Sequence, residues 1–408
     1  LAISSPVVKA KGGIYQLEFE AERVAIRVDK LYQKGDALTG EIRVLNKLPG
    51  EPVLLHQARF NLVSTRSRRD LAQHLFSRLE LTDWNGIIEV VCMHVLAIHR
   101  QGNPVIDVGD APIKPQRYRL SPWLLENETN LIYGAGGTGK SYVGCLIGVL
   151  VQSGQKHCDL TPVQGNVLYL DYETSEAEIN QRVQLIRNGM VLPSCTLAYR
   201  FCSQALAHEI DIIRRTVMEH KISLVIVDSV GSACGGEPES AEVVLRYFMA
   251  LRSLEITTLS IDHVTKHGDG KAPFGSIYKY NSARSIYELR SSQDPELPQL
   301  DIGLYHRKCN MGKLQYPFGL SLAFQTENNR PNVTFDKIDV VDVPELSIGI
   351  PLHDRISEVL KYGAMTTQEI AQEVGATENT IRSILSRYNK KRFIKVNHQL
   401  GKWGLLAK

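Results

Sequence analysis

The run Gly134-Ala-Gly-Gly-Thr-Gly-Lys140-Ser141 fits G-x-x-x-x-G-K-[ST], and its flanks supply the setting that the pattern needs. The apolar stretch 130–133 predicts a short buried strand leading in, and 142–151 predicts a helix leading out. A glycine-rich turn between strand and helix points several backbone N–H groups and a helix N-terminus at one spot, which suits a polyphosphate. In this frame Gly134, Ala135, Gly136, Gly137, Thr138 and Gly139 form the cradle and Tyr142 opens the helix. Lys140 brings a mobile positive charge to the outer phosphates, and Ser141 offers a hydroxyl to Mg²⁺. The pattern confines this part of the chain to an α/β fold and implies a nucleoside triphosphate, ATP with Mg²⁺, as ligand.

From about residue 113 to 336, short apolar or β-rich runs at 167–170, 223–227 and 257–261 alternate with helical stretches. This is how a mostly parallel sheet covered on both faces is written. Such sheets bind ligands beyond the carboxyl ends of their strands, so the polar residues there carry the argument. Asp171-Tyr-Glu173 follows the first run. Glu173 is the candidate for orienting and polarising water against a γ-phosphate; the alternative is an acidic turn capping the helix that Thr174-Ser175-Glu176 begins. The second run delivers Asp228, in the apolar-run-plus-aspartate pattern whose carboxylate shares Mg²⁺ with Ser141. Ser229 rather than a glutamate comes next, which shifts further weight onto Glu173. The third run ends in Asp262-His263-Val-Thr-Lys266, where His263 is placed to hydrogen-bond a γ-phosphate or, alternatively, to serve as a structural histidine.

A chain of 408 residues implies two or three domains. Residues 1–112 predict a β-rich α+β domain: apolar and polar residues alternate over 13–63, then helices are expected at 71–79 and 86–100, with a linker-like stretch over 101–115. Arg59, Arg66, Arg68 and Arg69 hint at nucleic acid there, and a collar or a docking surface is equally open. After a linker at 337–351, residues 352–408 read as three short helices and a terminal hairpin, the pattern of a winged helix-turn-helix domain. The net charge of +3 is too small to advertise a partner, but residues 381–408 hold eight Lys or Arg and no Asp or Glu. Arg382, Arg387, Lys390, Lys391, Arg392, Lys395 and Lys402 are therefore candidate DNA contacts; a protein-docking or merely solvated face is the alternative. Seven cysteines without a C-x-x-C pair argue against a disulfide framework and a zinc ribbon. With no apolar run near the ~20 residues of a membrane span and no signal-peptide pattern, a cytoplasmic protein with no membrane partner is expected. The chain opens on Leu1, which leaves a native start upstream open.

Together the phosphate loop, Asp171-Tyr-Glu173, Asp228 and His263-x-x-Lys266 resemble the RecA-type ATPases, and within that group the plasmid-type RepA hexameric replicative helicases. The resemblance covers about residues 125–324. It implies a RecA-like core in which the glutamate after the second strand activates water. It also implies a basic residue reaching a neighbour's nucleotide, for which Arg284 in Ser282-Ala-Arg284, or Arg307 or Lys308 in His306-Arg-Lys-Cys-Asn310, are the alternatives. In a ring of such subunits, loops 231–240 and 267–280 would face the channel, where Lys266, Lys271 and Lys279, with Tyr278 and Tyr280, offer charge and stacking faces to a single strand; a surface lid rich in Gly and Lys is the equal alternative. The expected partners are DNA, further copies of the chain up to a hexamer, and a replication initiator or primase. The expected function is an ATP-dependent helicase or translocase in the replication of a plasmid, phage or mobile element. A DNA-binding regulator that uses ATP as a switch is the second reading. A small-molecule kinase shares the phosphate loop but leaves the basic C-terminal segment unexplained.

Overall fold

The computed structural model describes residues 3–47, 51–102, 105–110, 112–113, 115–192, 194–237, 239–264, 277–327, 329–397 and 401–406. The chain divides into two compact units, Leu1–Pro115 with Asp211–Arg215, and Gln116–Ile210 with Thr216–Lys408.

In the first unit, strands Val7–Lys11, Ile14–Phe19, Val24–Lys34, Ala37–Asn46 and Val53–Asn61 pair in sequence order, each antiparallel to the next. The period-two alternation does what it should: Val24, Ile26 and Val28 are buried while Ala25 and Arg27 between them are half-buried. Helices Thr65–Phe76 and Trp84–Gln101 add Leu71, Leu75, Trp84, Ile88 and Val91 to the same core. The first helix starts at Thr65, where the Ser64 hydroxyl accepts from the Ser67 amide and caps it, and ends three residues before the expected 79. Arg68, one of the arginines that hinted at nucleic acid, pairs with Glu89 at 2.5 Å and donates to the Leu62 carbonyl.

The second unit is built on a sheet whose described strands run, edge to edge, Ala198–Phe201, Asn166–Asp171, Ile222–Asp228, Thr257–His263, Thr129–Gly134, Ser285–Ser292, Gln299–Cys309, Phe318–Glu327 and Arg330–Ile338. The first six pair in parallel and the last three are antiparallel, so the sheet is largely parallel as the alternating pattern predicts. Helix Lys140–Ser153 is buried almost all round, from Val143 to Val151. Each large apolar side chain it removes from water contributes about 1.5–3 kcal/mol, which fixes the helix against the sheet and with it the loop at its start. The order places the histidine strand (Thr257–His263) between the phosphate-loop strand (Thr129–Gly134) and the aspartate strand (Ile222–Asp228), with the glutamate strand (Asn166–Asp171) beyond. All four end on the same edge.

The stretch 337–351, expected to be a linker, is packed: Val340, Leu346 and Ile350 gather around Tyr305, whose hydroxyl donates to the Leu346 carbonyl. Beyond it lie helices Leu352–Lys361, Thr367–Glu373 and Glu378–Arg387 and the antiparallel pair Phe393–Asn397 and Lys402–Leu405. Ile356, Leu360, Ile370, Ile381, Leu385 and Phe393 form their small core. Thr366 and Glu369 make a reciprocal capping box, and Thr377 caps the third helix. Among the described residues, no helix is long and apolar enough to cross a membrane.

Candidate nucleotide site

Gly134 ends its strand against the neighbouring backbone, where an added Cβ would lie 2.4 Å from the Leu289 carbonyl oxygen. Ala135, Gly136 and Gly137 are exposed, and Gly137 and Gly139 take φ of 77° and 84°, the left-handed region that favours glycine. Thr138 closes the turn by donating to the Ala135 carbonyl at 2.9 Å. The result is an open cradle at the N-terminus of a fourteen-residue helix. Buried Lys140 folds its ammonium onto the loop, donating to the carbonyls of Gly134 at 3.0 Å and Ala135 at 2.6 Å. Burial pulls its pKa down, and Asp228, Glu173 and Asp262 act against that. Tyr142 sits edge-on to Phe324 with the Arg182 guanidinium over its ring.

Asp228 is buried at the end of its strand. Burial pushes its carboxyl pKa up, while hydrogen bonds from Tyr169, at 2.7 Å, and from Ser141 stabilise the carboxylate. A buried carboxylate beside a serine hydroxyl at the mouth of a phosphate cradle fits a hard divalent cation. Among the described residues, no group of three or more His, Cys, Asp or Glu side chains gathers to hold a metal. Two protein oxygens completed by phosphate and water is how Mg²⁺ is usually bound, so Ser141 and Asp228 suit Mg²⁺ better than a closed protein cage would.

Glu173 and Asp171 divide the two readings of the acidic turn between them. Asp171 accepts from the Glu173 and Thr174 amides, each at 3.0 Å, from the Thr174 hydroxyl at 2.8 Å and from the Tyr199 hydroxyl at 3.0 Å. Ser175 caps the following helix. Turn-building is thus done by Asp171 and Ser175, and Glu173 is left to face the site. Its carboxylate accepts from the Ser229 hydroxyl and lies 3.4 Å from His263 Nε2. The His263 hydrogen bond holds the Glu173 carboxyl below its ordinary pKa, with Ser229 and Lys140 acting in the same sense against desolvation. A half-exposed, ionised carboxylate at the strand ends can take a proton from water.

The three candidate trans-acting groups differ sharply. Arg307 is bonded to Glu288 at 2.7 Å and lies over the Tyr305 ring. Lys308 donates to the carbonyls of Tyr280, Asn281 and Ala283 at 2.7, 3.0 and 2.8 Å. The Arg284 side chain is 45% exposed and 3.9 Å from Glu128, the least engaged of the three.

Of the residues expected to meet a single strand, Lys266 and Lys271 lie outside the described residues. Lys279 is corrected: it is fully buried and pairs with Asp262 at 2.9 Å, so its charge is spent inside the fold. Tyr280 is likewise engaged, donating to the Arg307 carbonyl. The stretch after Asp228 begins with a helical turn, Val230–Ala233. In the C-terminal helices and hairpin, Arg382, Arg387, Lys390, Lys391 and Arg392 are exposed, and Lys395 and Lys402 are half-buried. Arg382 pairs with Glu378 and Arg392 with Asp354. Sequence reasoning missed Tyr169 and Ser229, which hold Asp228 and Glu173; both sit within or beside the motif-bearing strands, and that position was the one signal available.

A protein-family model described as an AAA domain matches residues 99–269, a span that takes in the phosphate loop, Glu173, Asp228 and His263. No curated protein matches the chain. The match and the largely parallel sheet support a P-loop ATPase domain, which implies nucleotide and, as a rule, Mg²⁺ as its ligands.

Proposed function

We propose that the chain is an ATP-driven DNA motor of the RepA-like hexameric type, working in the replication of a plasmid, phage or mobile element. ATP sits in the cradle of 134–142 with Lys140 on its outer phosphates. Glu173, held ionised by His263, takes the proton of the attacking water. Ser141 and Asp228 would hold Mg²⁺, which would supply charge neutralisation at the phosphates. Arg284 reaches the neighbouring subunit's nucleotide. The C-terminal helices and hairpin act as a winged helix whose exposed Arg387, Lys390 and Lys391 meet DNA phosphates. An initiator or primase is the proposed loading partner.

The observation that carries the reading is the pairing, in one chain, of an ionised strand-end carboxylate with the exposed cations Arg387, Lys390 and Lys391 at the end of the third C-terminal helix and the turn after it. The test is ATP hydrolysis with and without single-stranded DNA, with Lys140→Ala as the blank. Strong stimulation that the variant lacks supports a motor. Slow turnover indifferent to single strands favours the second reading, a duplex-binding switch, for which the same basic helix would be the working end.

A further inference from the structure

Lys279 belongs to the short helix Ile277–Ser282 and exposes no surface, and its partner Asp262 is 1% exposed. Asp262 immediately precedes His263, whose ring faces Glu173. The ion pair therefore ties the helix to the strand that carries His263. Withdrawing either charge would strand the other in the interior, so the two elements are held in one register. At the far end of the helix the terminal carbonyls lack intrahelical donors. Lys308 supplies two of those bonds, to Tyr280 and Asn281, and a third to Ala283 just past the helix, and Arg252 donates to the Ser282 carbonyl at 3.2 Å. Directly after this clamp, the Arg284 amide donates to the carbonyl of Thr129, the first residue of the phosphate-loop strand, at 2.8 Å. The backbone of Arg284 is fixed from both sides while its guanidinium faces outward, as a group acting on another molecule requires.

We propose that Lys279 and Lys308 are positioning residues for Arg284: with Asp262 they form an internal strut that ties the His263–Glu173 side of one subunit's site to the arginine it offers the next. This rests on the ring reading of the previous subsection. The lysines do their work inside the subunit, neither on DNA nor on nucleotide.

The test is steady-state ATP hydrolysis by the full chain carrying Arg284→Ala, the charge-free double replacement Asp262→Leu/Lys279→Met, or Lys308→Met, and each strut change combined with Arg284→Ala. Arg284→Ala is expected to lower kcat about 10³-fold or more with little change in KM. The strut variants are expected to lower kcat about tenfold to hundredfold alone, as a misplaced group does. In the Arg284→Ala background they should add less than about twofold, because the residues act as a unit. Folded strut variants with native kcat, or losses that multiply in full, overturn the strut and leave Arg284 in its role. Native kcat in Arg284→Ala overturns both. If the double replacement unfolds the chain, Lys308→Met, at a half-buried position, decides the matter alone.

Discussion

The strand-end site and the basic C-terminal face use charge in opposite ways. At the strand ends, Lys140 and Asp228 are buried, and Glu173 and His263 are bound to each other, so each charge is defined by the rest. On the C-terminal helix and the turn that follows it, Arg387, Lys390 and Lys391 stand exposed, and among the described residues none of them makes an ion pair. Low dielectric makes the buried pair strong and little sensitive to salt, and shared partners couple Glu173 and His263 to it. Water and counterions make the second set weak singly, additive and salt-dependent. Substitutions in the two regions should therefore differ in kind as well as in size.

The largest effect belongs to Lys140→Ala, expected to lower kcat/KM for ATP roughly 10³-fold or more by removing the charge proposed to meet the outer phosphates. A loss that 1 M salt mimics in the native protein would break the contrast. Next comes His263→Ala, expected to cost about tenfold in kcat at neutral pH. Its pH profile sharpens the comparison. Because the His263 hydrogen bond lowers the Glu173 pKa, hydrolysis in the native chain is lost only as pH falls below the ordinary carboxylate range. Without His263 the Glu173 pKa rises and the acid limb moves to higher pH. An unmoved limb would separate His263 from Glu173.

Smaller effects are expected at the C-terminal face. Replacing Arg387, Lys390 or Lys391 by alanine should weaken duplex binding a few-fold each, roughly additively. Each should also flatten the log–log salt dependence by about 0.9 for every DNA phosphate left without its cation. Slopes that do not change would show these charges to be merely solvated. The smallest is Thr366→Ala, which removes half of the capping box and should cost about 1 kcal/mol of stability in thermal or denaturant unfolding, with ATP hydrolysis unchanged.

Much of this was legible in the residues. The phosphate loop, the strands at 166–171, 222–228 and 257–263, and the three C-terminal helices follow from period, glycine placement and caps, which are local properties. Lys279 reads as surface because it is a lysine beside tyrosines after a glycine-rich stretch. Its partner Asp262 lies seventeen positions earlier, on the strand Thr257–His263, and only the fold brings them together. The choice among Arg284, Arg307 and Lys308 is closed to sequence for the same reason: Glu288 and the carbonyls that engage the last two arrive from other elements. The stretch 337–351 resembles a linker because its few apolar residues find their partner in Tyr305, more than thirty positions earlier in the chain.

Glu173 is the proposed base, next to an aspartate strand that brings no glutamate of its own. The measurement that tests it most directly is single-turnover ATP hydrolysis by Glu173→Gln, with nucleotide affinity measured on the same protein. Native-like ATP binding with hydrolysis slowed about 10²–10⁴-fold is the predicted result. Hydrolysis near the native rate with binding intact would contradict it and send the search for the base to another residue.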